Sequence, residues 1–211
     1  MEKLTGILLA GGKSLRMGTD KALKELFEYP MIIYPLRMLR NFCTEILISA
    51  NDERFNFLGH EVVADHIKNI GPIAGLYSCL EESSNFNNIA VACDMPFING
   101  TLLRKMTRTS NDFDAIVPVL NNKPEPLYAL YRKSILPKIS ENIQCRVYAI
   151  RELLQKANVC YMEVEKHETI EFFNINTLSE VSAVVSHYQL KDGQLEEKNI
   201  SEPFNGGRYR A

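Results

Sequence analysis

Short apolar runs recur along this chain, separated by amphipathic stretches. The runs at 5–10, 46–50, 62–64, 89–93 and 115–120 are continuous, not alternating, and rich in Ile, Val, Leu and Ala. Such runs suit strands covered on both faces. Between them, the patterning predicts helices near 31–42, 74–82, 101–109, 146–156 and 179–188. Repeated strand–helix alternation argues for an α/β fold with a mostly parallel sheet. Residues 126–131 and 160–164 read as later strands, either antiparallel or at an edge. From Lys191 onward the chain turns polar and carries Gly193, Pro203, Gly206 and Gly207. The expected organisation is one domain over 1–190 and a polar tail over 191–211, whose composition favours an unpacked terminus over a docked arm.

Composition narrows the function classes. The chain has 211 residues, 45% hydrophobic and 24% charged, which suits one large folded domain and argues against disorder. Lys+Arg number 24 and Asp+Glu 26, giving a formal charge of -2, so nothing marks a protein that coats nucleic acid. Five cysteines, an odd number without a C-x-x-C pair, fit neither a disulfide scaffold nor a cysteine zinc site and suit a reducing compartment. No apolar run approaches the roughly 18 residues of a membrane span. The residues after Met1 lead directly into the first strand, without a signal-peptide pattern. The expectation is a cytoplasmic protein with no nucleic-acid or membrane partner.

The first strand ends in Leu9-Ala10-Gly11-Gly12-Lys13-Ser14, followed by Arg16-Met17-Gly18-Thr19-Asp20-Lys21-Ala22-Leu23. Adjacent glycines at a strand's carboxyl end let the backbone pass close to a ligand. Consecutive N–H groups in such a turn form an anion-binding concavity. Lys13, Arg16 and Lys21 add positive charge. Phosphate is the ligand these parts suit. The loop is not a P-loop, because Ile7 stands where the first glycine belongs, and it lacks G-x-G-x-x-G.

The whole string closely resembles the signature of the nucleotidyltransferases related to molybdenum cofactor guanylyltransferase. Leu9-Ala10-Gly11-Gly12, Ser14, Arg16-Met17-Gly18 and Asp20-Lys21-Ala22-Leu23 all match. Further segments resemble the same family in the same order: Asp65 after a strand-like run, Gly71-Pro72-Ile73-Ala74-Gly75, Cys93-Asp94-Met95-Pro96-Phe97, Glu125-Pro126-Leu127-Tyr128, and Phe173-Asn174-Ile175-Asn176-Thr177. The resemblance covers about residues 5–185. It implies a Rossmann-like three-layer α/β fold and transfer of GMP from GTP to the terminal phosphate of molybdopterin, with pyrophosphate released. One departure is Phe27-Glu28-Tyr29-Pro30, where many relatives carry a Gly-x-Pro turn.

That reaction calls for positioning and charge neutralisation more than for a base. A phosphomonoester, with a second pKa of about 6, already attacks as an anion. The resemblance implies Lys21 as the phosphate clamp, with Arg16 second, and Asp94 as the holder of Mg²⁺. Leu9, Ala10, Gly11, Gly12, Lys21, Asp65 and Asp94 would contact GTP. Asn51 joins them if it takes over a contact that ungapped alignment gives to Ser49. The bland readings stand beside these. Lys21 can be a solvated lysine at a helix start, Arg16 a partner of Asp20 or Glu25, and Asp94 a cap for the helix after Pro96. Asn174 and Asn176 can meet molybdopterin or a metal-bound water, although capping of the helix near Thr177 is the more natural role for at least one. Gly71–Gly75 holds part of the base or ribose, or simply starts a helix. Expected partners are GTP and Mo-molybdopterin, with the molybdenum-insertion enzyme and molybdoenzymes on either side. The alternatives are a related cytidylyl- or sugar-nucleotide transferase, and a non-catalytic nucleotide-binding regulatory module.

Overall fold

The computed structural model describes residues 3–11, 21–109, 112–191 and 194–197. In chain order the elements begin β1 (Leu4–Leu9), β2 (Glu25–Leu26), β3 (Tyr29–Pro30), α1 (Ile33–Phe42), β4 (Glu45–Ser49), β5 (Glu61–Val63), α2 (Pro72–Glu82), β6 (Asn87–Ala92) and α3 (Thr101–Met106). They continue with β7 (Ala115–Leu120), β8 (Lys123–Pro124), β9 (Tyr128–Arg132), α4 (Leu136–Gln144), α5 (Ile150–Lys156), β10 (Val159–Glu163), α6 (Leu178–His187), β11 (Tyr188–Lys191) and β12 (Gln194–Glu197). Short 3-10 turns occupy Lys21–Leu23, Glu53–Leu58, Lys133–Ile135 and Lys166–Phe172.

The main sheet runs β10-β7-β9-β6-β1-β4-β5, with β8 paired to β7. Pairs β1–β4, β1–β6, β4–β5 and β7–β10 are parallel. Strand β9 is antiparallel to both of its neighbours, β6 and β7. It is therefore an interior strand, while the later β10 is the parallel edge strand.

Alternate side chains of β1 enter opposite layers, as the pleat requires. Leu4 and Leu8 pack with Leu36 and Leu39 of α1 and with Leu102, Leu103 and Met106 of α3. Ile7 and Leu9 pack with Ile73, Leu76 and Leu80 of α2, Ile139 of α4, and Leu153 and Leu154 of α5. This is a three-layer α/β fold. Burial on both faces explains why the strand sequences are apolar without a break.

A third apolar cluster lies beside these layers. Leu26, Met31, Tyr34, Phe97, Phe173, Ile175, Val184 and Tyr188 join the β2–β3 hairpin, the start of α1, the loop after β6, and α6 with β11. The Phe97 ring centroid lies 4.7 Å from Tyr188 and 5.9 Å from Phe173. This packing brings residues 173–176 against the loop that follows β6.

The turn at residues 27–28 closes the small hairpin in which Leu26 faces Tyr29. Phe27 takes φ 54°, the left-handed region that glycine enters without a Cβ clash. The turn thus forms here without a glycine. Near the C-terminus, β11 and β12 pair antiparallel, Leu190 facing Leu195. No helix among the described residues is long and apolar enough to cross a membrane.

Candidate functional site

Connectivity selects one crevice. The chain steps from β1 to β4 to β5 on one side, then returns through α2 to β6 on the other side of β1. The loops that follow β1 and β6 consequently diverge at the carboxyl ends of adjacent parallel strands. Open α/β sheets bind ligands at such a reversal. Backbone bonds carry the strand ends outward to a common rim. Cys93 N–H donates to Leu9 C=O at 3.1 Å, Ala10 N–H to Ser49 C=O at 3.0 Å, and Ala50 N–H to Val63 C=O at 3.0 Å. Leu9 and Ala10 are buried, and Gly11 is exposed at the mouth.

Lys21 and Asp94 meet across this crevice. The Lys21 ammonium donates to Asp94 Oδ2, and also to Asn176 Oδ1 at 2.5 Å. Each side chain of the ion pair is only 15% exposed, so Lys21 is not a solvated surface lysine. Its turn is fixed by Ile32 N–H donating to Ala22 C=O at 3.0 Å. Asp94 does not cap a helix either. The next helix begins at Thr101, whose N–H is taken by Asn99 Oδ1 at 2.8 Å. Asp94 Oδ1 is buried with no hydrogen-bond partner among the described residues.

The segment carrying Asn176 is anchored to the same loop. Ile175 N–H donates to the Asp94 carbonyl at 3.0 Å. The capping reading of Asn174 and Asn176 is corrected. Thr177 caps α6, its Oγ1 accepting from Glu180 N–H at 3.2 Å, while the Glu180 carboxylate accepts from the N–H groups of Asn176 and Thr177. This frees the Asn176 side chain to face Lys21.

A second cluster lies at the ends of β4 and β5. Asn51 Nδ2 donates to Asp65 Oδ2 at 2.7 Å, and Asp65 N–H donates to Asn51 Oδ1 at 2.9 Å. Ser49 is 2% exposed and turned into the core against Gly75 and the Cys79 thiol, which burial pushes up to about 12. Asn51, not Ser49, therefore faces the rim. Gly71 takes φ 82° as the N-cap of α2 and Pro72 follows at its first turn, so this segment does start a helix.

Gly12 and Arg16 lie outside the described residues, as do Lys13 and Ser14. One buried carboxylate had no sequence signal. Glu171 is 1% exposed and accepts from Tyr128 OH at 3.0 Å and from Asn99 N–H at 3.4 Å. Burial raises its pKa, and the nearby Glu168 pushes the same way. Glu171 links the loop after β6 to the segment that leads to Asn176. Among the described residues no group of three His, Cys, Asp or Glu side chains is placed to hold a metal ion. A cation here would rest on one carboxylate, neighbouring amide oxygen and ligand oxygens.

The model of the MobA-like NTP transferase domain matches residues 6–160. The chain belongs to the MobA-like NTP transferase family. A relative from Carboxydothermus hydrogenoformans, named probable molybdenum cofactor guanylyltransferase, is 31% identical over 91% of this chain and 100% of its own length. A relative of the same name from Pelotomaculum thermopropionicum is 34% identical over 86% of this chain and 91% of its own. Among solved structures, molybdopterin-guanine dinucleotide biosynthesis protein A from Archaeoglobus fulgidus superposes with a TM-score of 0.73 at 27% identity, covering 84% of this chain and 95% of that one. The MobA-like family thus accounts for the fold, and it makes the chain a nucleotidyltransferase.

Proposed function

We propose that this MobA-like nucleotidyltransferase is a molybdenum cofactor guanylyltransferase. It transfers GMP from GTP to molybdenum-loaded molybdopterin and acts in the cytoplasm, between molybdenum insertion and delivery to molybdoenzymes. A phosphate oxygen of molybdopterin attacks the α-phosphorus of GTP, and the bond to the bridging oxygen of the β-phosphate breaks. Pyrophosphate leaves with the electron pair, and the product is molybdopterin guanine dinucleotide.

The observation that carries this reading is the convergence of Lys21 and Asp94 at the switch point beside Leu9, Ala10 and Gly11. Catalysis of phosphoryl-type transfer is chiefly alignment and charge stabilisation. Lys21, a compact cation, suits phosphate oxygens that change geometry during reaction. Leu9, Ala10 and Gly11 line the same rim, and the family resemblance adds Gly12 and Arg16, which lie outside the described residues, to the phosphate-binding loop. Asn51 orients Asp65 toward the nucleoside.

Asp94 is the residue that would hold Mg²⁺. Its buried Oδ1, without a hydrogen-bond partner among the described residues, suits a cation ligand, and one carboxylate plus substrate phosphates is an ordinary donor set for this ion. When bound, the ion supplies charge neutralisation on the phosphate oxygens. No side chain need remove a proton, because the acceptor phosphate is already ionised.

The test is product analysis with GTP, Mg²⁺ and molybdenum-loaded molybdopterin. The expected outcome is the guanine dinucleotide with equimolar pyrophosphate. A clear preference for CTP, or no pyrophosphate with any nucleotide, would overturn the assignment.

A further inference from the structure

Residues 171–175 run beside the loop after β6 in the opposite direction, and every second one meets it. Ile175 N–H donates to the Asp94 carbonyl at 3.0 Å. The Phe173 and Phe97 ring centroids lie 5.9 Å apart. The Glu171 carboxyl group accepts from Asn99 N–H at 3.4 Å, and Gly100 N–H adds a contact to the same group. An extended segment presents alternate residues to one side, which is the pattern of these three rungs. Phe172, between two of them, turns instead onto Tyr128, with ring centroids 5.4 Å apart.

The middle rung is apolar, and apolar contact is non-directional. It holds the two segments together without fixing how they slide. Glu171 supplies the directional bond at the far end from Asp94. It is 1% exposed and also accepts from Tyr128 OH at 3.0 Å. Tyr128 is wholly buried in the interior strand β9. One carboxyl group thus ties the loop after β6, the segment leading to Asn176 and the sheet to each other. Its Oε1 is buried without a hydrogen-bond partner among the described residues, and such burial costs stability. Fixing a register is the best-attested reason to keep a buried ionisable group.

We propose that Glu171 is a positioning residue that sets the register of residues 171–176 against the loop after β6. It thereby places Asp94 and Asn176 where both meet Lys21. A slip of one residue would turn Phe172 and Asn174 towards the loop and carry Asn176 off Lys21. Glu171 acts through Asp94 and not on the reacting atoms. Its bearing on catalysis rests on the guanylyltransferase reading, whereas the register does not.

The experiment combines amide hydrogen exchange by NMR, pyrophosphate release at saturating GTP, and circular dichroism melts on the full chain. Glu171→Leu, which removes the acceptor, should speed exchange of the Ile175 amide at least tenfold beyond any change at Ile7 in β1, which reports global opening. At a temperature where the variant is folded, its kcat should fall at least tenfold, with KM for GTP changed less than threefold. Glu171→Gln, which keeps an acceptor, should bring both readouts back to within threefold of wild type. Tyr128→Phe, which removes one donor, should speed Ile175 exchange about fivefold. A merely structural role predicts a lower melting temperature with wild-type kcat per folded molecule, and that result would overturn the proposal. So would Glu171→Gln as impaired as Glu171→Leu. If Glu171→Leu does not fold, Tyr128→Phe decides, and unchanged exchange at Ile175 sinks the register role. If the chain makes no guanine dinucleotide yet exchange at Ile175 responds as stated, the guanylyl assignment fails and the register role stands.

Discussion

A Cβ added to Gly75 would stand 2.0 Å from Ser49 Oγ and 3.1 Å from Ser49 Cβ. Helix α2 can therefore lie on the end of β4 only because residue 75 has no side chain. Gly75→Ala should destabilise the fold by about 1–3 kcal/mol, the usual range for overpacking. Ser49→Ala removes the closest atom, so the penalty of Gly75→Ala should shrink in that background without vanishing. Urea denaturation of the four species in a double-mutant cycle measures this. Additive losses would show that the two residues do not compete for the same space.

Lys21 and Asp94 form one ion pair, and under the proposed function they serve the same triphosphate. Lys21→Ala and Asp94→Asn should each lower turnover by roughly 10²-fold or more, the scale for losing one preorganised charge-stabilising group. The double variant should be little worse than the poorer single one, because each loss already dismantles the same arrangement. Pyrophosphate release at saturating GTP checks both statements.

Two buried carboxylates set opposite pH dependences. The folded-state pKa of Glu171 is raised, chiefly by burial, so folding binds a proton there more tightly than the unfolded chain does. Stability should fall as pH rises from near 4.5 through the raised folded value. Glu171→Gln keeps an acceptor for Tyr128 OH and removes that ionisation. Its melting temperature relative to wild type should therefore improve from pH 5 to pH 8.

Asp114 behaves in the reverse sense. Burial alone would raise its pKa, but bonds from Asn158 N–H, Ser134 Oγ and Lys138 outweigh this and lower it below 3.8. Its stabilisation is present above that value and lost as pH falls through the folded one. Asp114→Asn should be less stable than wild type at pH 7, and the gap should narrow towards pH 3. Thermal melts across the pH range separate the two residues.

Asn121 and Asn122 close the β7–β8 hairpin with φ 50° and 61°. Positive φ at both central positions is the type I′ pattern, which Asn tolerates and β-branched residues do not. Asn122→Val should cost about 1–2 kcal/mol, whereas Asn122→Gly should be neutral or stabilising. Denaturant midpoints with an unchanged slope are the readout.

Much of the architecture was legible from the chain because burial on both faces leaves an unbroken apolar run. Ala115–Leu120 is found at the expected residues. Helix α4 was not read, although Leu136, Ile139 and Ile143 stand at i, i+3 and i+7 and pack on the core; Pro137 in its first turn and a span of only nine residues obscured that stripe. The interior place of β9 could not be read either, since strand order depends on pairing and not on composition. Lys21 and Asp94 are 73 positions apart, and their meeting was expected from the family resemblance alone. The Asn176 contact with Lys21 was obscured by a plausible cap, a role that Thr177 takes instead.

The most direct measurement is a crystal structure with GTP and Mn²⁺, the ion located by its anomalous signal. The triphosphate should lie along residues 9–11 with Lys21 on its oxygens, and the anomalous peak should sit within coordination distance of Asp94. Nucleotide bound elsewhere, or a metal peak remote from Asp94 with the Lys21–Asp94 pair intact, would contradict the site.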